Sequence, residues 1–313
     1  MPESKSFPLS LLKLARPHQW SKNVFVLFGP FYAAAEGKII SWPGVVAALI
    51  AFSFASSSCY VVNDIKDRDA DRVHPRKRRR PIASGAVTVS AAGMFAAALL
   101  VGGVVAAASP ALRPGAGPGL LLLAAVLVYV LNVTVYSLSL KHIPIIDVMS
   151  LASGFVLRVL GGCAAAGVTP SSWLLNSTFF LAMFLAFGKR LGERRTMAAA
   201  SPEDAAALGA SRRVQLSYTD DLLRMAVVVT AVATLITYAG YVQSQEVHYT
   251  RGFNLLWLTM LPPTYAMFRC ILLLERGRFD DPTELATRDH PFQAAVGVFG
   301  LLMVVLVLWV RTA

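Results

Sequence analysis

The sequence predicts an all-α fold, a polytopic membrane helix bundle of about nine transmembrane helices. Hydrophobic residues make up 56% of the 313 residues and charged residues only 15%, whereas soluble domains carry about 25% charge. The apolar residues also fall in long runs, close to the length of about 20 residues that a helix needs to cross a bilayer. Short alternating strands, which are typical of a membrane barrel, are not what the pattern shows.

The apolar runs locate the predicted spans along the chain. The first run is short and contains Gly29 and Pro30, so we expect a kink there. No cleavable apolar segment precedes it, and we expect it to act as its own insertion signal. We divide the chain into an amphipathic cytoplasmic N-terminus, residues 1–22, and a single transmembrane domain, residues 23–313. The predicted spans are 23–35, 42–62, 88–108, 118–138, 143–166, 172–188, 222–243, 252–274 and 292–310.

Positive charges orient these spans. With the N-terminus inside, 23 of the 29 Lys and Arg residues fall in inner segments, four in outer segments and two within spans. Because positive residues favour the cytoplasmic side, the split predicts a cytoplasmic-membrane protein with its C-terminus outside. The same rule accounts for much of the net charge of +11, so nucleic-acid binding does not follow from it. The three cysteines lie in apolar runs without metal-ligand spacing.

Acidic side chains cluster where the second span ends. Asp64, Asp67 and Asp71 fall within an arc of about 60° on a helix of 3.6 residues per turn, whereas Asp69 points the other way. Three carboxylates on one face repel each other unless a cation lies between them. Their oxygens suit Mg²⁺, which also binds substrate phosphates. The sequence therefore predicts a magnesium site here; the alternative is a solvated helix end paired with neighbouring basic residues.

These residues also resemble a family motif. Asn63-Asp64-x-x-Asp67-x-x-x-Asp71 is similar to the NDxxDxxxD motif of the UbiA superfamily of intramembrane prenyltransferases, which binds a diphosphate through Mg²⁺. Further segments resemble the decaprenyl-phosphate phosphoribosyltransferase branch of that superfamily. They lie at 16–23, 74–85, 141–158, 188–193 and 282–289. The resemblance extends over residues 11–310 and implies a UbiA-like fold.

The resemblance implies a Mg²⁺-dependent enzyme. It would transfer 5-phosphoribose from phosphoribosyl diphosphate to a polyprenyl phosphate lipid and release pyrophosphate. This reaction is a first step toward polyprenyl-phosphoryl arabinose for cell-wall arabinan. The acceptor phosphate is already an anion near pH 7, so no general base is needed, and the requirement is to neutralise and align two anions. A homo-oligomer is compatible with the sequence, which leaves the oligomeric state open.

Individual residues receive roles from the same resemblance. The candidate catalytic residues are Asp147 and the three metal ligands Asp64, Asp67 and Asp71. The candidate contacts to phosphoribosyl diphosphate are Asn63, Lys77, Arg80, Tyr136, Lys141 and Arg158. The candidate contacts to the lipid phosphate are Arg16, Lys22, Lys189 and Arg190.

Some of these residues have other interpretations. Asp147 and Arg158 lie eleven residues apart on one face of a predicted span, where charges usually face a cavity but also form structural ion pairs. Tyr136 is an equally good interfacial anchor. Residues 281–284 read as a helix cap followed by the first turn.

A basic segment bears on the choice of donor. Residues 189–195 stand where most superfamily members that use isoprenyl diphosphates carry a second acidic motif, although Asp220 and Asp221 lie nearby. A second metal clamp is therefore not expected, which favours the phosphoribosyl donor. The alternative is a prenyltransferase that moves an isoprenyl group to an aromatic or other acceptor. A transporter is less favoured, because the sequence lacks an internal repeat and its polar cluster lies at a helix end.

Overall fold

Helices make up the regular structure of this protein. The computed structural model describes residues 7–73, 77–112, 117–199, 217–277 and 288–311. Within those ranges no strand forms, and the one isolated bridge joins Thr250 to Asn254. Eight helices there are long and apolar enough to cross a membrane. These candidate spans are Trp42–Lys66, Val89–Ala108, Gly119–Leu138, Ile146–Ala166, Ser172–Arg195, Asp220–Ser244, Leu255–Glu275 and His290–Val310. The predicted all-helical, multi-pass fold is confirmed.

The α-helices follow the predicted spans closely. Apart from the single turn Glu246–Tyr249, in chain order they are α1 Phe7–Ala15, α2 Val24–Ala35, α3 Trp42–Lys66, α4 Arg68–Val73, α5 Val89–Ala108, α6 Gly117–Leu138, α7 Ile146–Ala166, α8 Ser172–Ala199, α9 Asp220–Ser244, α10 Leu261–Glu275 and α11 His290–Val305. The largest difference is at α8, which continues eleven residues past the predicted end at 188. Charge ends an apolar run there, but Lys, Arg, Leu and Glu are good helix formers, so the helix extends beyond the apolar part.

The first predicted span is a shorter helix than the others. Helix α2 has 12 residues and Pro30 lies inside it. A 3₁₀ helix, Pro17–Asn23, runs directly into α2. Because a 3₁₀ helix rises about 2.0 Å per residue and an α-helix 1.5 Å, residues 17–35 form a path of about 32 Å. That path is close to the thickness of the hydrocarbon core, about 30 Å.

Contacts divide the chain into two compact units. The first comprises Met1–Leu138 and Gly154–Pro170. Helix α3 lies at its centre, and the core forms around the fully buried Phe52. Small residues let helices approach closely in this unit: a Cβ on Gly103 would lie 3.2 Å from the Ala51 carbonyl oxygen.

The second unit comprises Ser139–Ser153 and Ser171–Ala313. Its main core lies between α8, α9 and α10, where Phe184, Phe187 and Leu273 are buried together. The predicted division into residues 1–22 and 23–313 stays a prediction.

The last span begins after an aspartate that caps it. Residues 281–284, the predicted cap, lie outside the described part of the chain. Helix α11 has Asp289 as its N-cap, and the Asp289 carboxylate accepts a hydrogen bond of 2.9 Å from the Phe292 amide. The same carboxylate pairs with both Nε and Nη2 of Arg269, at 3.2 and 3.0 Å. This pair therefore ties the start of α11 to α10.

Candidate active site

The acidic cluster lies where α3 passes into α4. The Asp67 amide donates to the Asn63 carbonyl at 2.9 Å, and the Asp71 amide donates to the Asp67 carbonyl at 2.8 Å. These bonds keep helical spacing across the junction, so Asp64 and Asp71 stay on one face. Their side chains are 4% and 3% exposed, whereas that of Asp69 is 76% exposed. The prediction that Asp69 points away from the others is confirmed.

Two arginines neutralise the buried aspartates. Arg80 Nη1 donates to Asp64 Oδ1 at 3.0 Å and to Asp71 Oδ2 at 2.7 Å. Since both bonds share one nitrogen, the two carboxylate oxygens lie no more than 5.7 Å apart. Arg16 Nη2 donates to the same Asp64 oxygen at 2.6 Å. Burying an unpaired carboxylate costs several kcal/mol, so these cations are what allow the two aspartates to be buried.

Asp67 differs from its two neighbours. It is half-buried, and its side chain makes no hydrogen bond or ion pair with the residues that the structure describes. Among those residues, no three acidic, histidine or cysteine side chains come together as a metal-binding group. The cluster therefore consists of a close pair, Asp64 and Asp71, with Asp67 beside it.

The donor set of this cluster fits a divalent cation. Mg²⁺ is usually bound through one or two protein carboxylates, with substrate phosphates and water completing its coordination. The carboxylate pair supplies hard oxygen ligands, and Asp67 adds a third in the same helical turn. Three aspartates face two arginines, which leaves one negative charge uncompensated within this group.

Arg158 lies deep inside the first unit, away from this cluster. Its side chain is buried and donates to Asn23 Oδ1 at 3.0 Å, to the Gly154 carbonyl at 2.9 Å and to the Tyr129 hydroxyl at 2.8 Å. Asn23 in turn donates to Ser53 on α3. Ser53 precedes Asp64 by about 16 Å along the helix axis. The predicted role of Arg158 as a donor contact stays a prediction, and its described partners are all neutral.

Asp147 is the centre of a second polar cluster, within the second unit. It is fully buried, and its Oδ2 accepts from Arg190 Nε and Nη2, both at 3.0 Å. The Tyr218 hydroxyl donates to Asp147 Oδ1 at 2.5 Å and accepts from the Ile145 amide at 2.6 Å. Ile145 has a φ of +69°, a left-handed conformation that is rare for a β-branched residue. Tyr218 thus holds the turn that begins α7.

Tyr218 stays protonated in this setting. Burial, together with the hydrogen bond to the Asp147 carboxylate, raises the pKa of Tyr218 well above its usual value, although the Ile145 amide opposes the shift. A neutral phenol is a hydrogen-bond donor. Asp147 therefore has three donated hydrogen bonds, and Arg190 points inward to it rather than to the surface.

The remaining predicted contacts lie near helix ends, except Lys189, which lies inside α8. Lys141 lies in the 3₁₀ turn Leu140–His142 that leads into α7. It is half-buried and makes no hydrogen bond or ion pair with any residue in the described ranges. Asn63 lies in the last turn of α3. The other predicted contacts, all of them half-buried, are Lys22, Lys77, Tyr136 and Lys189.

Three side chains of these clusters were not singled out by the sequence. Asn23 is the last residue of the segment 16–23, which resembles the family. Its position in that segment could have identified it. Tyr129 lies seven residues before Tyr136 on α6, on a helix that reads as apolar throughout. Tyr218 belongs to no motif. Its link to Asp147, 71 residues away in sequence, is visible only in the folded chain.

The membrane-spanning helices make this chain a multi-pass membrane protein, and its candidate site is the buried, arginine-bridged aspartate pair at the end of α3. The chain belongs to the UbiA prenyltransferase family, whose profile matches residues 23–261. The resemblance found in the acidic motif is therefore confirmed.

Curated relatives and solved structures agree with this membership. The chain is 34% identical to the decaprenyl-phosphate phosphoribosyltransferase of Corynebacterium glutamicum, over 97% of this chain and 89% of that protein. It is 32% identical to the decaprenyl-phosphate phosphoribosyltransferase of Mycolicibacterium smegmatis, over 95% and 93%. A UbiA homolog from Archaeoglobus fulgidus, solved with GPP and Mg²⁺ bound, superposes with a TM-score of 0.68 over 95% of this chain and 99% of that one, at 18% identity.

Proposed function

We propose that the protein transfers the 5-phosphoribosyl group of phosphoribosyl diphosphate to a polyprenyl phosphate. The observation that carries the proposal is the similarity, over nearly the full length of both chains, to decaprenyl-phosphate phosphoribosyltransferases. The family and these relatives make the chain a transferase. Residues that match the branch, such as Lys141 and Arg80, are present in the described structure.

The reaction needs charge neutralisation more than proton transfer. An oxygen of the acceptor phosphate attacks the anomeric carbon of the ribose and forms the new C–O bond. The bond from that carbon to the diphosphate oxygen breaks, and pyrophosphate leaves with the electron pair. Such a centre passes through an oxocarbenium-like transition state. Stabilising the leaving diphosphate is therefore the main catalytic task.

Mg²⁺ is the cofactor that we propose for this task. Asp64, Asp67 and Asp71 would hold it, and it would neutralise charge on the diphosphate. Arg80 contacts the same two carboxylates in the structure, so a bound cation would compete with Arg80 for them. A displaced Arg80 guanidinium would be a two-pronged donor suited to diphosphate oxygens.

The lipid substrate is assigned to a lysine side chain. We propose that Lys22, in the first unit, meets the acceptor phosphate; Lys189, the other lysine predicted for this role, lies in the second unit. Lysine stems lie along apolar surface while their charge stays near the interface. Asp147 is fully buried and bonded to Arg190, so its proposed role is to hold the start of α7 rather than to touch substrate. The charge split between loops favours a cytoplasmic site, an internal N-terminus and an external C-terminus in the cell membrane.

A second donor has support from the solved relatives. UbiA homologs of Archaeoglobus fulgidus were solved with GPP and with DMAPP, which favours an isoprenyl diphosphate as the alternative donor. The ion pairs along the described part of α8 are the observation against an isoprenyl donor. Arg190, Arg194 and Arg195 pair there with acids of the second unit.

Donor binding decides between the two. Purified protein in detergent, without lipid acceptor, should bind phosphoribosyl diphosphate with Mg²⁺ in a calorimeter, because this donor is wholly polar. With a short polyprenyl phosphate added, mass spectrometry should show the phosphoribosylated lipid. Clear binding of geranyl diphosphate with no binding of phosphoribosyl diphosphate would replace this proposal by the isoprenyl one.

A further inference from the structure

The N-terminal segment meets α3 at a sharp corner. Between α1 and the following 3₁₀ helix, Arg16 has φ 51° and ψ 58°, the left-handed region. A non-glycine residue in this conformation costs free energy, so surrounding contacts must hold it. The Gln19 amide bonds to the Arg16 carbonyl at 2.9 Å, which closes the turn from one side.

Three side chains of α3 hold this corner from the other side. The Ser57 hydroxyl donates to the Ala15 carbonyl at 2.6 Å and accepts from Trp20 Nε1 at 3.0 Å. The Arg16 guanidinium lies over the Tyr60 ring, 5.1 Å from its centroid. Asp64 accepts from Arg16 at 2.6 Å. Positions 57, 60 and 64 fall within about 60° of arc on a helix, so one face of α3 carries all of these contacts.

The contacts of Arg16 are those of an interior group. Its side chain is 23% exposed, and its closest polar partner is a carboxylate that is only 4% exposed. The sequence assigns Arg16 to the lipid phosphate, but here its guanidinium is directed at Asp64 and stacked on Tyr60. With these contacts, the positive charge of Arg16 neutralises the Asp64 carboxylate.

We propose that Arg16 is a positioning residue of the diphosphate site. Its guanidinium holds the Asp64 carboxylate beside Asp71, and residues 7–23 form a wall of that site. Asp64 Oδ1 accepts from both Arg16 and Arg80. When a cation displaces Arg80, Arg16 is the remaining described cation that keeps Asp64 in place. The inference rests on the proposed function, because it assigns Arg16 to the donor side of that reaction.

Measuring donor binding and the KM for the lipid acceptor separately tests this role. We expect Arg16→Ala to weaken binding of Mg²⁺–phosphoribosyl diphosphate, measured by calorimetry in detergent, by roughly ten- to a hundredfold, the equivalent of one hydrogen bond to a charged group. The KM for polyprenyl phosphate should stay unchanged. Arg16→Lys keeps the charge without the planar fork and should recover part of the loss. Lys13→Ala, which removes an exposed cation from the last turn of α1, should change neither constant.

Two results would overturn the inference. If Arg16→Ala raises the KM for polyprenyl phosphate and leaves the donor Kd within twofold of wild type, Arg16 contacts the lipid. If the unfolding midpoint falls while both constants stay the same, Arg16 only supports the fold. Should the unmodified protein bind geranyl diphosphate and not phosphoribosyl diphosphate, the proposed function fails, and the same Arg16 variants are then measured with Mg²⁺–geranyl diphosphate, on which the positioning role predicts the same loss.

Discussion

Replacing Arg80 by glutamine should separate the metal from the donor. In the structure one nitrogen of Arg80 bridges Asp64 and Asp71, whose side chains are 4% and 3% exposed. Arg80→Gln leaves Asp71 without a described cation and leaves Asp64 with Arg16 alone. Breaking a buried ion pair by removing one partner costs about 3–5 kcal/mol. Because Arg80 itself is 29% exposed, we expect the lower end, about 3 kcal/mol, in protein without Mg²⁺.

The same substitution should make Mg²⁺ alone bind more tightly, since its competitor for the two carboxylates is gone. Binding stabilises the folded protein by RT ln(1 + [L]/Kd), which is about 2.7 kcal/mol at a hundred times the Kd. Saturating Mg²⁺ should therefore restore nearly all of the lost stability. Binding of Mg²⁺ with phosphoribosyl diphosphate should weaken, because the arginine contact to the diphosphate is lost.

Thermal unfolding in detergent across a Mg²⁺ titration measures the first effect, and calorimetry with the donor measures the second. Arg79→Gln is the matched control, because Arg79 is exposed at the end of the short 3₁₀ turn that directly precedes Arg80 and the substitution should change neither quantity. The exchange of Arg80 for Mg²⁺ is refuted if Arg80→Gln gains no more stability from Mg²⁺ than the unmodified protein does.

Three further outcomes are expected. Asp67→Asn should abolish product formation in the mass-spectrometric assay. Asp69→Asn, which changes an exposed carboxylate paired with Arg68, should keep most of it. Equal activity of the two variants would rule out the metal role of Asp67. Tyr218→Phe should lower the unfolding free energy by about 1–2 kcal/mol, since two hydrogen bonds are lost, and an unchanged unfolding midpoint would contradict this. Single cysteines at Arg79 and Arg251 should be labelled from opposite sides of the membrane, because the charge split assigns these positions to opposite faces; the native cysteines are buried and should not be labelled. Labelling of both positions from the same side would refute the assigned topology.

The length of apolar runs was enough to predict most helix bounds. The run at 88–108 became Val89–Ala108, because lipid fixes the length of a span and leaves little room for error. Run length gave the wrong helix end at α8. Charged residues end the apolar run there, but the helix continues to Ala199. Run length also missed part of the first span, because the 3₁₀ helix Pro17–Asn23 leads directly into the 12-residue α-helix. Hydropathy does not record that change of helix type.

Helical periodicity likewise placed Asp64 and Asp71 on one face, because that relation is local. It had no information on their counter-charges. Arg16 lies 48 residues from Asp64, and Arg80 lies 16 residues from it. Such pairs are set by how the N-terminal corner and the segment after α4 fold back onto α3. The roles of Arg16 and Arg80 therefore required the folded chain.

The two groups of acidic residues in this protein differ in how their carboxylates pair with arginines. In the second group, within the second unit, Asp147 pairs with Arg190, Asp220 with Arg194 and Glu275 with Arg195, at 3.0, 2.5 and 2.9 Å. Arg190 also pairs with Glu193, and Glu275 also pairs with Arg224. A divalent cation there would have to displace arginines from these pairs, and the displaced arginines would lose buried or partly buried partners.

The first group is built differently. Two of its three aspartates, Asp64 and Asp71, share Arg16 and Arg80, and one guanidinium nitrogen contacts both carboxylates at once. One negative charge remains on Asp67, which has no partner in the described chain. A divalent cation that displaces only Arg80 removes that excess and frees a guanidinium for the diphosphate. The case for one metal site rather than two thus rests on how the acids are paired, more than on the basic character of residues 189–195 that first suggested it.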